Sequence, residues 1–468
     1  MKKNGYIAVL VFLVSRIAVY SQTFEVVPYL ENGDTDKRIN FVYVSEGYTA
    51  AEFDQFIEDA EYIIGEQFEY SPYLEYKNFF NIYLIKVPSA ESGTDHPQTS
   101  SDSDCQDVPV MQNDTYFNST FDAYGIHRLL TPGTWPYTLV TDVLMENTPY
   151  YDQAGVIVNT PYYGGSGGDY FTGSVHSSAV AIMTHESGHS FGELNDEYWA
   201  GSVYAHEAPN MTQESDPTLV KWKNWLGDEG IGIYPYGDTP PLSEWFRPHQ
   251  SCLMRFLYGQ FCAVCREALI DKIYTLVSPI DGYSPAGQNI DYDDEEELNF
   301  SVDLVRPEPD TLVTTWYLDG EVIAGDTETL ILTPSVTGEE DHVLTVEVRD
   351  DIPLSRSYVF AQGYIFDVTW NINNSTGITD NGAEKFIYKI YPNPVADVLH
   401  FDYRIQNATH PVSMEITDVQ GRKMMKRIFP AGQGIFHREI DVSGWQQGIY
   451  FMSIQKGSYQ AVFPFFKE

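Results

Sequence analysis

Apolar residues repeat with two different periods along the first part of the chain. Residues 41–44 and 80–87 are short runs rich in β-branched and aromatic side chains, which predict strands. Between them, over residues 50–68, Phe53, Phe56, Ile57, Ala60 and Ile64 fall on one face of a helix. A third β run, residues 154–159, leads into the glycine-rich stretch Gly164-Gly165-Ser166-Gly167-Gly168. From residue 176 to 191 the helical period returns: Ala179, Ile182 and Met183 face a core, and Ser174 or Ser177 caps the start. Strand, helix, strand, helix in this order predicts an α/β layer arrangement. After a Pro/Gly/Ser-rich boundary, residues 278–288, the pattern becomes all β. Residues 312–318, 329–333 and 342–349 read as short strands separated by turns such as Asp319-Gly320. Trp316 lies where an immunoglobulin-like sandwich carries its core tryptophan. A polar linker, 375–385, precedes a last series of short strands, 386–468, expected to form a second sandwich. The expected fold class is therefore an α/β domain over residues 22–277 followed by two all-β sandwich domains, 278–374 and 386–468.

The helix predicted over 176–191 carries the densest chemistry. His185 and His189 are four residues apart and stand one above the other on one face. Their imidazoles suit one metal ion at about 2.0–2.1 Å each. Glu186 is adjacent in sequence but turned about 100° around the helix, which places it beside an activated water as a general base rather than a ligand. Gly192 follows, suited to a left-handed conformation that ends the helix and turns the chain back under the metal. Asp196 is the expected third ligand, leaving a fourth position to solvent as a catalytic zinc site requires. Glu197 is the alternative ligand, or an outer partner that accepts the second N–H of a ligand histidine. Tyr198 and Tyr258 are candidates to steady an oxyanion. His127, His176, His206 and His249 are scattered and read as ordinary polar histidines. The glycine-rich stretch lacks a helix-opening phosphate pattern, which excludes nucleotide binding there. It reads equally well as a backbone edge that takes an extended peptide as an added strand or as a plain turn.

The pattern His185-Glu186-x-x-His189-x-x-Gly192 with an acid close behind resembles that of the metzincins. In its longer form, through Leu194, Asp196, Glu197 and Tyr198, it resembles the IgA-peptidase family of bacterial metallopeptidases. Residues 41–49, residues 89–97, Cys252-Leu253-Met254-Arg255 and residues 261–266 resemble further blocks of that family. The resemblance covers about residues 24–275. It implies a metzincin-like catalytic domain, zinc-dependent peptide hydrolysis and a turn beneath the metal carrying Met254. The usual metzincin third ligand would fall on Asn195; here the acid comes one residue later, at Asp196. Separately, residues 390–395, 416–422 and 448–451 resemble the C-terminal sorting domain of the type IX secretion system, which implies export and the secretion machinery as a partner.

The N-terminus is Met1-Lys2-Lys3 followed by an apolar run over residues 7–19, which predicts a signal peptide, residues 1–21, and no transmembrane segment after its removal. The formal net charge is −40, from 67 acids against 27 bases, which excludes nucleic-acid binding and suits an exported, soluble chain. The clusters at residues 291–297 and 102–104 are low-ranking calcium candidates, because neither shows the oxygen-ligand spacing of a known loop. Cys105, Cys252, Cys262 and Cys265 are expected to form disulfides in an oxidising compartment; Cys262-x-x-Cys265 alone is a weak zinc or redox signal. The main functional expectation is a secreted or surface-attached zinc endopeptidase. The competing readings are a surface adhesin with an inactive peptidase-like domain and a metal-dependent hydrolase of other bonds.

Overall fold

The structure, a computed structural model, describes residues 23–97, 108–133, 138–292, 297–333, 341–356, 364–374, 386–405, 412–429, 434–456 and 459–468. The expected signal peptide, the polar linker 375–385, Cys105, the calcium candidate at 102–104 and residues 293–296 of the other lie outside them. The chain is rich in β structure, with few helices and several sheets, and divides into two compact units, Met1–Asn374 and Ser375–Glu468.

The first unit opens with β1 (Glu25–Leu30), β2 (Ile39–Glu46), α1 (Phe53–Gln67) and β3 (Phe80–Lys86). It continues through α2 (Thr138–Asn147), β4 (Gln153–Val158), β5 (Gly165–Ser166), β6 (Phe171–Ser174) and α3 (Ala179–Ser190). The six strands make one sheet in the order β1-β3-β2-β4-β6-β5. The central neighbours β3, β2, β4 and β6 are parallel, and the edge strands β1 and β5 are antiparallel to theirs. Strand β2 is buried along its whole length, because both faces of the sheet are covered. Its alternating side chains feed two cores. Phe41 and Tyr43 join α1 and α3 on one side, and Val42 and Val44 join Val140, Val143 and Leu144 of α2 on the other.

Helix α3 is tied to this frame by a buried polar chain. The Tyr43 hydroxyl donates to Gln67 Oε1 at 2.8 Å, Gln67 Nε2 donates to Ser187 Oγ at 3.2 Å, and Ser187 Oγ donates to Thr184 O at 2.7 Å. Helix α3 starts later than the sequence pattern suggested, with Ser178 as its N-cap in place of Ser174 or Ser177. After α3 the chain runs without long elements, through the two-residue strands β7 (Tyr234–Pro235) and β8 (Phe246–Arg247), to α4 (Ala263–Leu276).

Beyond α4 two sheets form a sandwich. One has five strands, in the order Asn289–Tyr292, Tyr364–Asn374, His342–Asp350, Leu312–Leu318, Glu321–Gly325; the other has three, Thr329–Leu332, Leu298–Leu304, Ile280–Ser284. Trp316 is fully buried in it and stacks on Trp370 with ring centroids 5.9 Å apart. This sandwich shares a core with the sheet-and-helix part: Val305, Ile352 and Tyr364 belong to the same apolar cluster as Phe79, Ile273 and Tyr274. At the centre of that junction the Asp350 carboxylate accepts from the Tyr76 hydroxyl at 2.5 Å and the Tyr274 hydroxyl at 2.6 Å. The second unit is a separate pair of sheets. One holds Phe386–Tyr391, Val398–Ile405 and Gly434–Asp441; the other runs Lys423–Phe429, Val412–Asp418, Gly448–Lys456, Tyr459–Lys467. They enclose Leu399, Phe401, Met414, Ile416, Met452 and Ile454.

Asp350→Ala would remove the carboxylate to which both buried phenols donate. It is expected to lower stability by about 3 kcal/mol in denaturant unfolding; a change below roughly 1 kcal/mol would mean the junction does not depend on this carboxylate.

Candidate metal centre

His185 and His189 project from α3 with their Nε2 atoms 3.2 Å apart. Asp196 Oδ1 lies 3.2 Å from His185 Nε2 and 3.3 Å from His189 Nε2. A metal bound tetrahedrally at about 2.1 Å sets its donors roughly 3.4 Å apart. The three atoms therefore form one face of such a tetrahedron. Asp196 Oδ1 is buried and receives no hydrogen bond, so an oxygen lone pair is committed to this point with nothing in the protein to satisfy it.

The imidazoles are aimed by main-chain carbonyls. His185 Nδ1 lies 3.0 Å from Leu253 O, and His189 Nδ1 lies 2.7 Å from Leu194 O. A carbonyl only accepts, so each Nδ1 carries a hydrogen, which leaves each Nε2 as the atom that would give its lone pair to a cation at the shared point. This corrects the expectation that Glu197 would accept a histidine N–H. Backbone oxygens take that role, and Glu197 points elsewhere. The charges agree with a cation site. Burial opposes charge on His189, yet Asp196 and Glu186 outweigh it and lift its pKa to about 9. Burial likewise opposes ionised Asp196, and His189 and His185 hold its carboxyl well below the usual carboxylate range.

The turn that delivers Asp196 differs from the one expected. Gly192 is not left-handed; Glu193 is, with φ +55°. Gly192 is needed for closeness instead: a Cβ there would sit 2.8 Å from Leu269 Cδ2 and 2.9 Å from Gly188 O. Asn195 turns away, with its amide nitrogen donating to His206 O at 3.0 Å and its backbone N–H to Asn210 Oδ1 at 2.8 Å. Asp196 then faces the histidines, its carbonyl fixed by the Tyr236 hydroxyl at 2.7 Å. Met254 sits in a tight turn, Arg255 N donating to Cys252 O at 2.9 Å, and packs fully buried beneath α3.

Glu186 is placed beside the face formed by these donors: one of its carboxylate oxygens lies within 4.8 Å of a ring nitrogen of each histidine. Burial raises its pKa from the ordinary glutamate value, against the pull of both histidines. Tyr198 is close enough to feel Asp196 and Glu186, and burial, then these two charges, push its phenol up. Tyr258 is 83% exposed and stacks on Phe256. Arg128, which nothing in the sequence singled out, interacts with Glu186 and hydrogen-bonds Tyr198. The glycine-rich stretch passes directly over the helix: a Cβ on Gly167 would lie 2.7 Å from His189 Cβ and 3.2 Å from Glu186 Oε2. Of the two readings of this stretch, the open strand edge is not met at Gly165, whose N–H donates to Arg128 O and whose carbonyl accepts from Leu130 N, each at 3.3 Å. At that residue the edge is already paired.

The disulfides expected are absent among the described cysteines: Cys252, Cys262 and Cys265 are free and buried. They surround Glu197, whose Oε1 is 3.4 Å from Cys265 Sγ and 3.7 Å from Cys262 Sγ. His127 is not a scattered polar residue but part of a buried cluster with Asp122 and His96, at 2.8 Å from Asp122 Oδ1 and 3.3 Å from His96 Nε2. His176, His206 and His249 have local partners: His176 Nδ1 accepts from Ser178 N, His206 Nδ1 lies near Tyr204 O, and His249 Nδ1 accepts from Ser251 N.

Residues 27–240 match the model of the family described as IgA Peptidase M64. This segment is similar to M64 peptidase domains. Residues 389–465 match the secretion system C-terminal sorting domain, which marks the chain for export through type IX secretion to the cell surface or beyond. No helix among the described residues is long and apolar enough to cross a membrane. No curated protein matches the chain. Among solved structures, the chain is similar to dimeric latent PorU from Porphyromonas gingivalis, at 12% identity over 40% of this chain and 20% of that one, TM-score 0.19. It is also similar to the glucan utilization protein SGBP-B of Bacteroides ovatus, at 11% identity over 40% and 45%, TM-score 0.16. The fibronectin(III)-like modules of Clostridium thermocellum CbhA match at 11% identity over 40% and 93%, TM-score 0.16. Likenesses this weak carry no argument about fold or activity.

The M64 match stops before Met254, yet that residue closes the floor of the site. A Cβ on Gly188 would lie 2.8 Å from Met254 Sδ and 3.1 Å from Phe261 Cε1, both on fully packed side chains. Gly188→Ala is therefore expected to lower stability by about 1–3 kcal/mol in chemical denaturation, despite alanine's helix preference of about 1 kcal/mol. A gain in stability would show that the Met254 turn is not packed tightly against α3.

Proposed function

We propose that residues 22–277 form a secreted or surface-attached zinc-dependent endopeptidase with a metzincin-like arrangement. In this reading residues 1–21 are a signal peptide, residues 278–374 an immunoglobulin-like sandwich, and residues 386–468 the export tail. The observation that carries it is the convergence of His185 Nε2, His189 Nε2 and Asp196 Oδ1 within 3.3 Å of one another, with Glu186 beside them. Three nitrogen and oxygen donors, with a fourth position left to solvent in this reading, are the donor set of a catalytic rather than a structural zinc. When bound, zinc supplies Lewis acidity towards a scissile carbonyl and towards water.

The remaining work falls to this chain's own groups. Glu186 takes the proton of the attacking water and passes it to the leaving amine; its raised pKa suits both halves of that transfer. Tyr198 stays protonated and donates to the developing oxyanion, held in place by Arg128. The Met254 turn beneath α3, with Leu253 O orienting His185, supports the metzincin-like assignment. The substrate class is protein or peptide; the family's description does not make immunoglobulin a substrate of this chain.

Casein or gelatin hydrolysis by the purified mature protein is expected to stop with a chelator and return with added zinc. Glu186→Gln is expected to keep its metal and lose at least about 100-fold in activity; full activity with metal retained would remove Glu186 as the base. Asp196→Ala is expected to lose most of its bound zinc by elemental analysis, and unchanged zinc would take Asp196 out of the ligand set.

A further inference from the structure

Behind the candidate catalytic face, Glu197, Cys252, Cys262 and Cys265 close around a single point. Cys265 Sγ lies 3.6 Å from Cys252 Sγ and 3.6 Å from Cys262 Sγ. Glu197 Oε1 is 3.4 Å from Cys265 Sγ and 3.7 Å from Cys262 Sγ. All four residues are buried, and the second carboxylate oxygen, Glu197 Oε2, has no hydrogen-bond partner. A zinc ion with sulfur at about 2.3 Å and oxygen at about 2.0 Å sets its donors roughly 3.5–3.8 Å apart when tetrahedral. The four distances above, 3.4–3.7 Å, lie close to that figure, and all four donors fall within 4.8 Å of one another.

Glu197 Oε1 also accepts from Asn210 Nδ2, at a long 3.5 Å. A disulfide would use two of the three sulfurs and still leave Glu197 Oε2, on a fully buried carboxylate, without a partner, which is costly. One divalent ion takes all four at once. Burial opposes charge on these thiols, and three features of the surroundings offset it. The N–H of Cys262 donates to Cys252 Sγ at 3.3 Å, and Cys262 and Cys265 both lie at the N-terminal end of α4. Arg247, 7% exposed, adds a positive charge that interacts with Glu197, and its Nε has no hydrogen-bond partner.

We infer that Glu197, Cys252, Cys262 and Cys265 form a second, structural zinc site, closed on all four sides and distinct from the catalytic centre. Its place explains why it is there. Glu197 directly follows Asp196, and its N–H donates to Met254 O at 2.7 Å. Cys252 directly precedes Leu253, whose carbonyl orients His185. Cys262 and Cys265 open α4, whose Leu269 packs against Gly192. The ion clamps together the three segments that hold the catalytic donors in register, so these acidic and thiol groups act as positioning residues.

The test is metal analysis of the full mature chain and of its His185→Ala/His189→Ala variant, in which the catalytic donors are gone. Two zinc equivalents are expected in the first and one in the second, with zinc-edge X-ray absorption of the variant showing sulfur neighbours at about 2.3 Å. Cobalt substitution of the same variant is expected to give thiolate-to-cobalt charge-transfer absorption. Cys262→Ser/Cys265→Ser is expected to lose one equivalent and unfold at lower temperature; if it does not fold, the histidine variant still decides. The inference is overturned if the histidine variant holds no stoichiometric metal, if its metal has only nitrogen and oxygen neighbours, or if mass spectrometry finds a disulfide among the three cysteines. Failure of the catalytic reading alone looks different: one sulfur-bound equivalent in both proteins.

Discussion

Two imidazole nitrogens and one carboxylate oxygen are forced to within 3.3 Å of each other, and the rest of the first unit is organised around that crowding. Three lone pairs facing one point repel unless a cation sits between them. The protein holds them there by fixing each donor from behind. Leu253 O and Leu194 O set the ring orientations, and the Tyr236 hydroxyl fixes the main chain of Asp196. The buried chain of Tyr43, Gln67 and Ser187 anchors α3 to the sheet. The parallel strands, covered on both faces, give these anchors a rigid base.

Much of this was legible in the sequence because it depends on spacing. Two histidines four apart on a helix must share a face, and the alternation along residues 312–318 buries Trp316 whatever it packs against. Strands β2, β3 and β4 follow from the same kind of pattern. What escaped the sequence depends on the backbone or on distance along the chain. The left-handed turn falls at Glu193, not at the glycine, because Gly192 is pressed between Leu269 and Gly188 O. Beyond that turn Asp196, not Asn195, faces the histidines. Carbonyl acceptors such as Leu253 O leave no mark in residue identity. Arg128 sits in a segment with no motif and reaches Glu186 and Tyr198 only once the sheet is assembled.

The cysteines show the same limit from the other side. Their count and the exported setting argued for disulfides, which is sound chemistry for an oxidising compartment. Glu197 changes the balance: it sets a buried carboxylate against the sulfurs, and its Oε2 has no partner whichever two of them join. Sequence distance also concealed the join between the catalytic part and the sandwich, where Asp350 accepts from tyrosines on two segments far away in the chain. The sandwich is thereby part of the frame of the first unit.

Anomalous diffraction at the zinc edge from crystals of the mature protein tests the central claim most directly. The account predicts a peak about 2.1 Å from His185 Nε2, His189 Nε2 and Asp196 Oδ1, with a fourth side open to solvent. Zinc-loaded crystals with no peak between those three atoms, or with Asp196 turned away from the histidines, would contradict it.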